Sequence, residues 1–136
     1  MPVIAAAIPL GCRLVVEPST DGVWVVHTPQ LNFTWSCSVR EAHRDVPELN
    51  PDASAFLRAG LQEALDSGWR VHGGGRVKCH VDLPLQAGLS SSSALVVAWV
   101  QALARVAGVS LSPLMLAQRA HQVEVIHFGE PGGHMD

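Results

Sequence analysis

The sequence predicts an α+β domain. Three observations carry that expectation. β-branched apolar runs crowd the first third of the chain, and apolar residues at helical spacing dominate later stretches. The two kinds of segment also lack the regular βαβ alternation of a doubly wound sheet. The 136 residues suit one compact domain or a piece of a larger one. With 48% apolar and only 15% charged residues, the chain has side chains enough for a core, which argues against disorder.

Leu14–Pro18 and Val23–Thr28 read as strands, and Pro18–Gly22 between them has turn chemistry, with Asp21-Gly22 supplying a positive-φ position. Leu31–Val39 has strand composition, so an antiparallel meander is the economical reading. Arg40–Asp52 is polar and carries prolines, as a surface connection does. Beyond it, Phe56, Leu57, Leu61, Ala64 and Leu65 recur at helical spacing up to Gly68, with Asp52 or Ser54 as the cap. Gly73-Gly74-Gly75 is a tight turn or a mobile loop. Val77, Cys79, Val81 and Leu83 then alternate with Lys78, His80 and Asp82, as in a strand with one buried face. From Ala94 to Gly108 the only strongly polar residues are Gln101 and Arg105, four apart, which predicts a mostly buried helix. Pro113 suits the first turn of a last helix running to Phe128, capped by Ser110 or Ser112.

The formal charge of −3 and the scatter of the nine Lys and Arg leave no footprint for nucleic acid. Ala94–Val100 is too short to span a bilayer before Gln101 and Arg105 intervene, so no membrane partner is expected. The apolar start lacks a basic leader, and the setting reads as cytoplasmic and reducing. Cys12, Cys37 and Cys79 are odd in number and far apart, without a CxxC pair. They read as small apolar residues in strand or core positions.

Three readings compete for Gly88-Leu89-Ser90-Ser91-Ser92-Ser93-Ala94. A flexible linker does not fit between a strand and a buried helix. A serine nucleophile on a strained elbow wants G-x-S-x-G, and the second glycine is missing. A phosphate cradle needs small residues, free backbone N–H groups and a helix N-terminus, and all three are present. No lysine follows the glycine, so this is not the Walker-type loop. One serine explains an N-cap; four exceed what a cap requires.

Pro84-Leu85-Gln86-Ala87-Gly88-Leu89-Ser90-Ser91-Ser92-Ser93-Ala94 resembles the ATP-binding motif of the GHMP kinases, a superfamily that includes galactokinase, homoserine kinase, mevalonate kinase and phosphomevalonate kinase. Every fixed position of the pattern Pro-x3-Gly-Leu-Gly/Ser-Ser-Ser-Ala/Ser-Ala is met. A second segment is ambiguous when read alone. His121, Glu124 and His127 recur at spacing three, which suits a metal site or, more simply, a solvated helix face. Gly129–Asp136, however, resembles the Gly-x-Pro-x-Gly-x-Met-Asp turn of galactokinase-like members.

The resemblance implies the kinase N-terminal domain, with an α+β core like domain 2 of ribosomal protein S5, as the fold of residues 1–136. It implies ATP and Mg²⁺ as cofactors. Pro84, Gln86, Ala87, Gly88, Leu89, Ser90, Ser91, Ser92, Ser93 and Ala94 would cradle the nucleotide, Ser92 and Glu124 would bind Mg²⁺, and Asp136 would be the catalytic aspartate. The substrate would be a hydroxyl of a small molecule, a sugar if the galactokinase branch is the right one. A mevalonate-type kinase and a non-catalytic, truncated nucleotide-binding module are the alternatives. The sugar-binding segment Gly-Arg-x-x-x-x-Gly-Glu-His-x-Asp-Tyr of galactokinases has no counterpart here. The chain is therefore expected to lack the first strand, the substrate segment and the C-terminal domain, and to be inactive alone. Its open sheet edge would then invite a partner chain or self-association.

Overall fold

The computed structural model describes residues 9–43, 53–82 and 91–126. Within them, four strands and three helices follow the order β1 (Cys12–Pro18), β2 (Val23–Thr28), β3 (Phe33–Ser38), α1 (Ala53–Asp66), β4 (Gly74–Val81), α2 (Ser91–Val106) and α3 (Pro113–His121). A 3₁₀ turn, Pro29–Leu31, precedes β3, and a π turn, Gln122–Ile126, continues α3. None of the described helices is long and apolar enough to cross a membrane.

The strands form one mixed sheet in the order β1-β4-β2-β3. β1 runs antiparallel to β4, β2 parallel to β4, and β3 antiparallel to β2. This corrects half of the expected meander: β2 and β3 pair antiparallel as expected, but β1 and β2 do not pair, because β4 lies between them. The turn chemistry of Pro18–Gly22 is present, with Gly22 at φ +73°, but the turn bridges over the start of β4. Ser19 and Gly22 donate backbone hydrogen bonds to the carbonyls of Gly74 and Gly73 at 3.0 and 2.9 Å.

The glycine triplet explains how a strand fits there. A Cβ on Gly73 would sit 2.6 Å from the Ser19 carbonyl oxygen, and one on Gly74 2.4 Å from that of Val23. Gly75 lies against the Trp24 ring, where a Cβ would come within 2.6 Å. The triplet is thus a packed crossing and the beginning of β4, where a mobile loop was one of the two expectations. Arg76 fastens the same turn. It forms an ion pair with Asp21 and donates to the Val23 carbonyl at 3.0 Å.

One sheet face is buried, as the alternation predicts. Trp24, Val26, Trp35, Cys37, Val77 and Cys79 point into the core, whereas His27, Arg76, Lys78 and His80 are exposed. α2 covers the buried face and packs against α1, α3 and β1. Trp99 of α2 meets Trp24 and Trp35 edge-on, at centroid distances of 5.4 and 6.2 Å. Both central indole N–H groups are satisfied by backbone carbonyls, Trp24 by Val71 at 2.9 Å and Trp99 by Leu57 at 2.8 Å.

The helix stop signals work as expected. Gly68 and Gly108 take left-handed conformations just past α1 and α2. Ser112 caps α3, its hydroxyl accepting from the Met115 N–H at 3.2 Å. Two local expectations change. Ser54 lies inside the first turn of α1 and so is not its cap, while Asp52 lies outside the described residues. The last helix does not run uninterrupted to Phe128: α geometry ends at His121 and widens into the π turn.

Candidate active site

The described part of the site is a corner where the start of α2 meets the π turn. α2 is held by Val96, Trp99, Val100 and Leu103, all at most 2% exposed. That packing fixes the direction of the opening turn, whose backbone N–H groups have no intrahelical acceptors. The helix dipole places partial positive charge at the same point.

Glu124 approaches this end from the other side. α3 delivers it. Arg119 of α3 donates to Glu63 at 2.7 Å and to Ser67 at 2.8 Å, tying α3 to the end of α1, and its guanidinium lies 5.9 Å from the Trp69 ring centroid. Ala120 and Val123 are buried, at 5% and 1% exposure. The π turn then brings Glu124 to α2. Such widened turns are rare and recur at functional positions.

Glu124 Oε1 accepts two hydroxyl bonds, from Ser92 at 3.0 Å and from Ser93 at 2.8 Å. Ser92 is exposed, and Ser93 is only 5% exposed. The two serines therefore differ. Ser93 faces inward and anchors the carboxylate, while Ser92 shares the same oxygen from the solvent side. A carboxylate at a helix N-terminus is electrostatically favourable.

The structure thus brings together Ser92 and Glu124, the two residues expected to bind metal, from positions 32 apart in sequence. Ser93 gains a partner the sequence did not reveal. Ser91 opens α2, and Ala94 is half-buried in its first turn. Pro84, Gln86, Ala87, Gly88, Leu89 and Ser90 lie outside the described residues, as do His127 and the Gly129–Asp136 turn with Asp136. His121 is the last residue of α3, and Glu124 lies in the π turn that follows it.

The donor set is hard: one carboxylate and two hydroxyls. Among the described residues no cluster of three or more His, Cys, Asp and Glu side chains could hold a metal ion by itself. The carboxylate and hydroxyl oxygens suit Mg²⁺, which takes one or two protein carboxylates and fills its remaining positions with phosphate oxygens and water. They do not suit a structural zinc site, which needs four nitrogen or sulfur ligands.

Comparison with known proteins identifies the family of the domain. The family model for the GHMP kinases N-terminal domain matches residues 54–136, so the chain belongs to that family. It is similar in structure to galactokinase of Lactococcus lactis, solved with galactose, with a TM-score of 0.80 and 20% identity over 96% of this chain and 34% of that one. Mevalonate kinase of Methanococcus jannaschii gives a TM-score of 0.76 and 16% identity over 90% and 39% of the two chains. A D-glycero-D-manno-heptose 1-phosphate kinase from Bacteroides thetaiotaomicron gives 0.71 and 18%, over 94% and 40%. At these identities the likeness is one of fold, and the chain spans well under half the length of each relative. No curated protein matches the sequence.

Proposed function

We propose that this chain is the nucleotide-binding part of a kinase that transfers the γ-phosphoryl group of ATP to a hydroxyl of a small molecule. The observation that carries the reading is the Glu124 carboxylate bonded by Ser92 and Ser93 at the opening turn of α2, in a chain of the GHMP kinase family.

Backbone N–H groups of the first turn of α2, with the segment Pro84–Ser90 before it, would receive the phosphates. Ser92 and Glu124 would hold Mg²⁺. When bound, the ion would neutralise the charge of the β- and γ-phosphate oxygens. Ser93 fixes the carboxylate in place, so that Glu124 does not have to be ordered when the ion arrives. Asp136 would orient the acceptor hydroxyl and take its proton. The Gly129–Asp136 turn favours a sugar as acceptor, and mevalonate-type acceptors are the alternative.

Calorimetric titration of the folded chain with Mg·ATP tests the reading. Saturable binding is expected, weakened about tenfold or more by Ser92→Ala or Glu124→Ala. A folded parent that binds no Mg·ATP would sink the nucleotide assignment. Phosphoryl transfer with sugars and with mevalonate as acceptors then separates the two branches.

A further inference from the structure

Cys12 and Cys79, 67 positions apart, meet on the buried face of the sheet with their sulfurs 3.5 Å apart, both as free thiols. In the antiparallel ladder Cys12 stands opposite Val81, and Cys79 opposite Leu14, so the two cysteines are diagonal neighbours on one face. They differ in access. Cys79 is 1% exposed on the inner strand β4, whereas Cys12 is partly exposed and is the first residue of β1, at an edge of the described sheet. The remaining cysteine, Cys37, lies buried on β3, two strands from β4, and its thiol donates to the Ser38 carbonyl at 3.3 Å.

We propose that Cys12 and Cys79 are a redox-responsive dithiol that closes to a disulfide by exchange with a low-molecular-weight disulfide, stapling β1 to β4. Cys12 is the point of entry and Cys79 the resolving sulfur. In the first step the Cys12 sulfur, as thiolate, attacks one sulfur of the external disulfide, forms a mixed disulfide and expels one thiolate. In the second, the Cys79 thiolate attacks the Cys12 sulfur and expels the other. The two protein thiols are oxidised, the external disulfide is reduced to two thiols, and these carry away both protein protons.

Closure needs the sulfurs to approach by about 1.5 Å, to the bonded distance of about 2.05 Å. That shift falls on the first residue of an edge strand. In the reduced state the two sulfurs titrate as one unit. The hydrogen bond from Cys12 lowers the Cys79 thiol to about 7 against the opposing effect of burial, and the Thr28 hydroxyl adds to the lowering. The same sulfur–sulfur bond, with burial, pushes Cys12 up. The pair thus shares one proton after the first ionisation, and its passage across the 3.5 Å contact to Cys79 leaves the thiolate on the more accessible Cys12. Cys37 has no such partner, and burial raises it.

The test is to incubate the full chain with glutathione disulfide and map it by mass spectrometry. The expected product has lost two hydrogens, carries a Cys12–Cys79 cross-link and retains no glutathione. Its thermal midpoint should exceed that of the reduced chain. Cys79→Ser should instead accumulate glutathione on Cys12, and Cys12→Ser should resist both reactions. A wild-type chain that stays fully reduced, that keeps glutathione on either cysteine without cross-linking, or that cross-links through Cys37 would overturn the proposal. If Cys79→Ser does not fold, the wild-type map decides alone.

Discussion

α2 serves two regions of the molecule by opposite means. Along its length it is apolar and redundantly packed, with Trp99 between Trp24 and Trp35 and Val96, Val100 and Leu103 around it. At its first turn it is polar, and its tie to the π turn is two hydroxyl bonds on a single carboxylate oxygen. The packed region carries stability, and in the proposed function the corner carries the chemistry. Substitutions should therefore separate the two readouts.

Trp99→Ala should have the largest effect. It empties a fully buried site and removes the indole N–H that donates to the Leu57 carbonyl, at a cost of about 4 kcal/mol. Urea unfolding of the variant checks this. Gly74→Ala comes next. Gly74 has φ +84°, and its Cβ would meet backbone atoms of Val23 at 2.4 Å, so a loss of about 3 kcal/mol is expected in the same experiment. If Gly74→Ala were neutral, the packed crossing of the turn over β4 would be wrong.

Ser93→Ala sharpens the comparison from the other side. It should cost only about 1 kcal/mol of stability but roughly tenfold in Mg·ATP affinity. Ser93→Thr, which keeps the hydroxyl, should recover part of the affinity. A stability loss without an affinity loss would make Ser93 a packing residue only.

The smallest effect concerns the turn above β4. The Arg76 guanidinium beside Asp21, with bonds from the Val23 N–H and the Ser19 hydroxyl, holds the Asp21 carboxyl down at about 2, below its ordinary 3.8. A depressed carboxylate contributes stability above its unfolded value and loses it as pH falls toward its folded value. Unfolding midpoints should therefore drop between about pH 4 and pH 2. Arg76→Gln should shallow that drop, and salt should shrink the difference because the pair is exposed.

Much of this was legible in the sequence where the signal is local. Gly68 and Gly108 end helices because they take positive φ, Pro113 and Ser112 begin one, and the alternation of β4 marks its buried face. The family motifs also pointed to Ser92 and Glu124 before their contact was visible. What the sequence did not reveal is non-local. Asp21-Gly22 has hairpin chemistry whether or not a third strand passes beneath it, and only the packing of Gly73–Gly75 decides. Hydrophobic spacing could not foresee the π turn after His121, because Val123 continues the helical spacing of Leu116 and Ala120. Nor could it single out Ser93 among four serines, or bring Cys12 to Cys79. Those roles come from side chains meeting across long stretches of chain.

The most direct measurement is a titration of the chain with Mn²⁺ and ATP, followed by electron paramagnetic resonance. Protein-bound Mn²⁺ should appear only with ATP present, and Glu124→Gln should weaken it about tenfold or more while leaving the fold intact. ATP binding of equal strength with and without the divalent ion, unchanged in Glu124→Gln, would contradict the assignment of this corner as the metal–phosphate site.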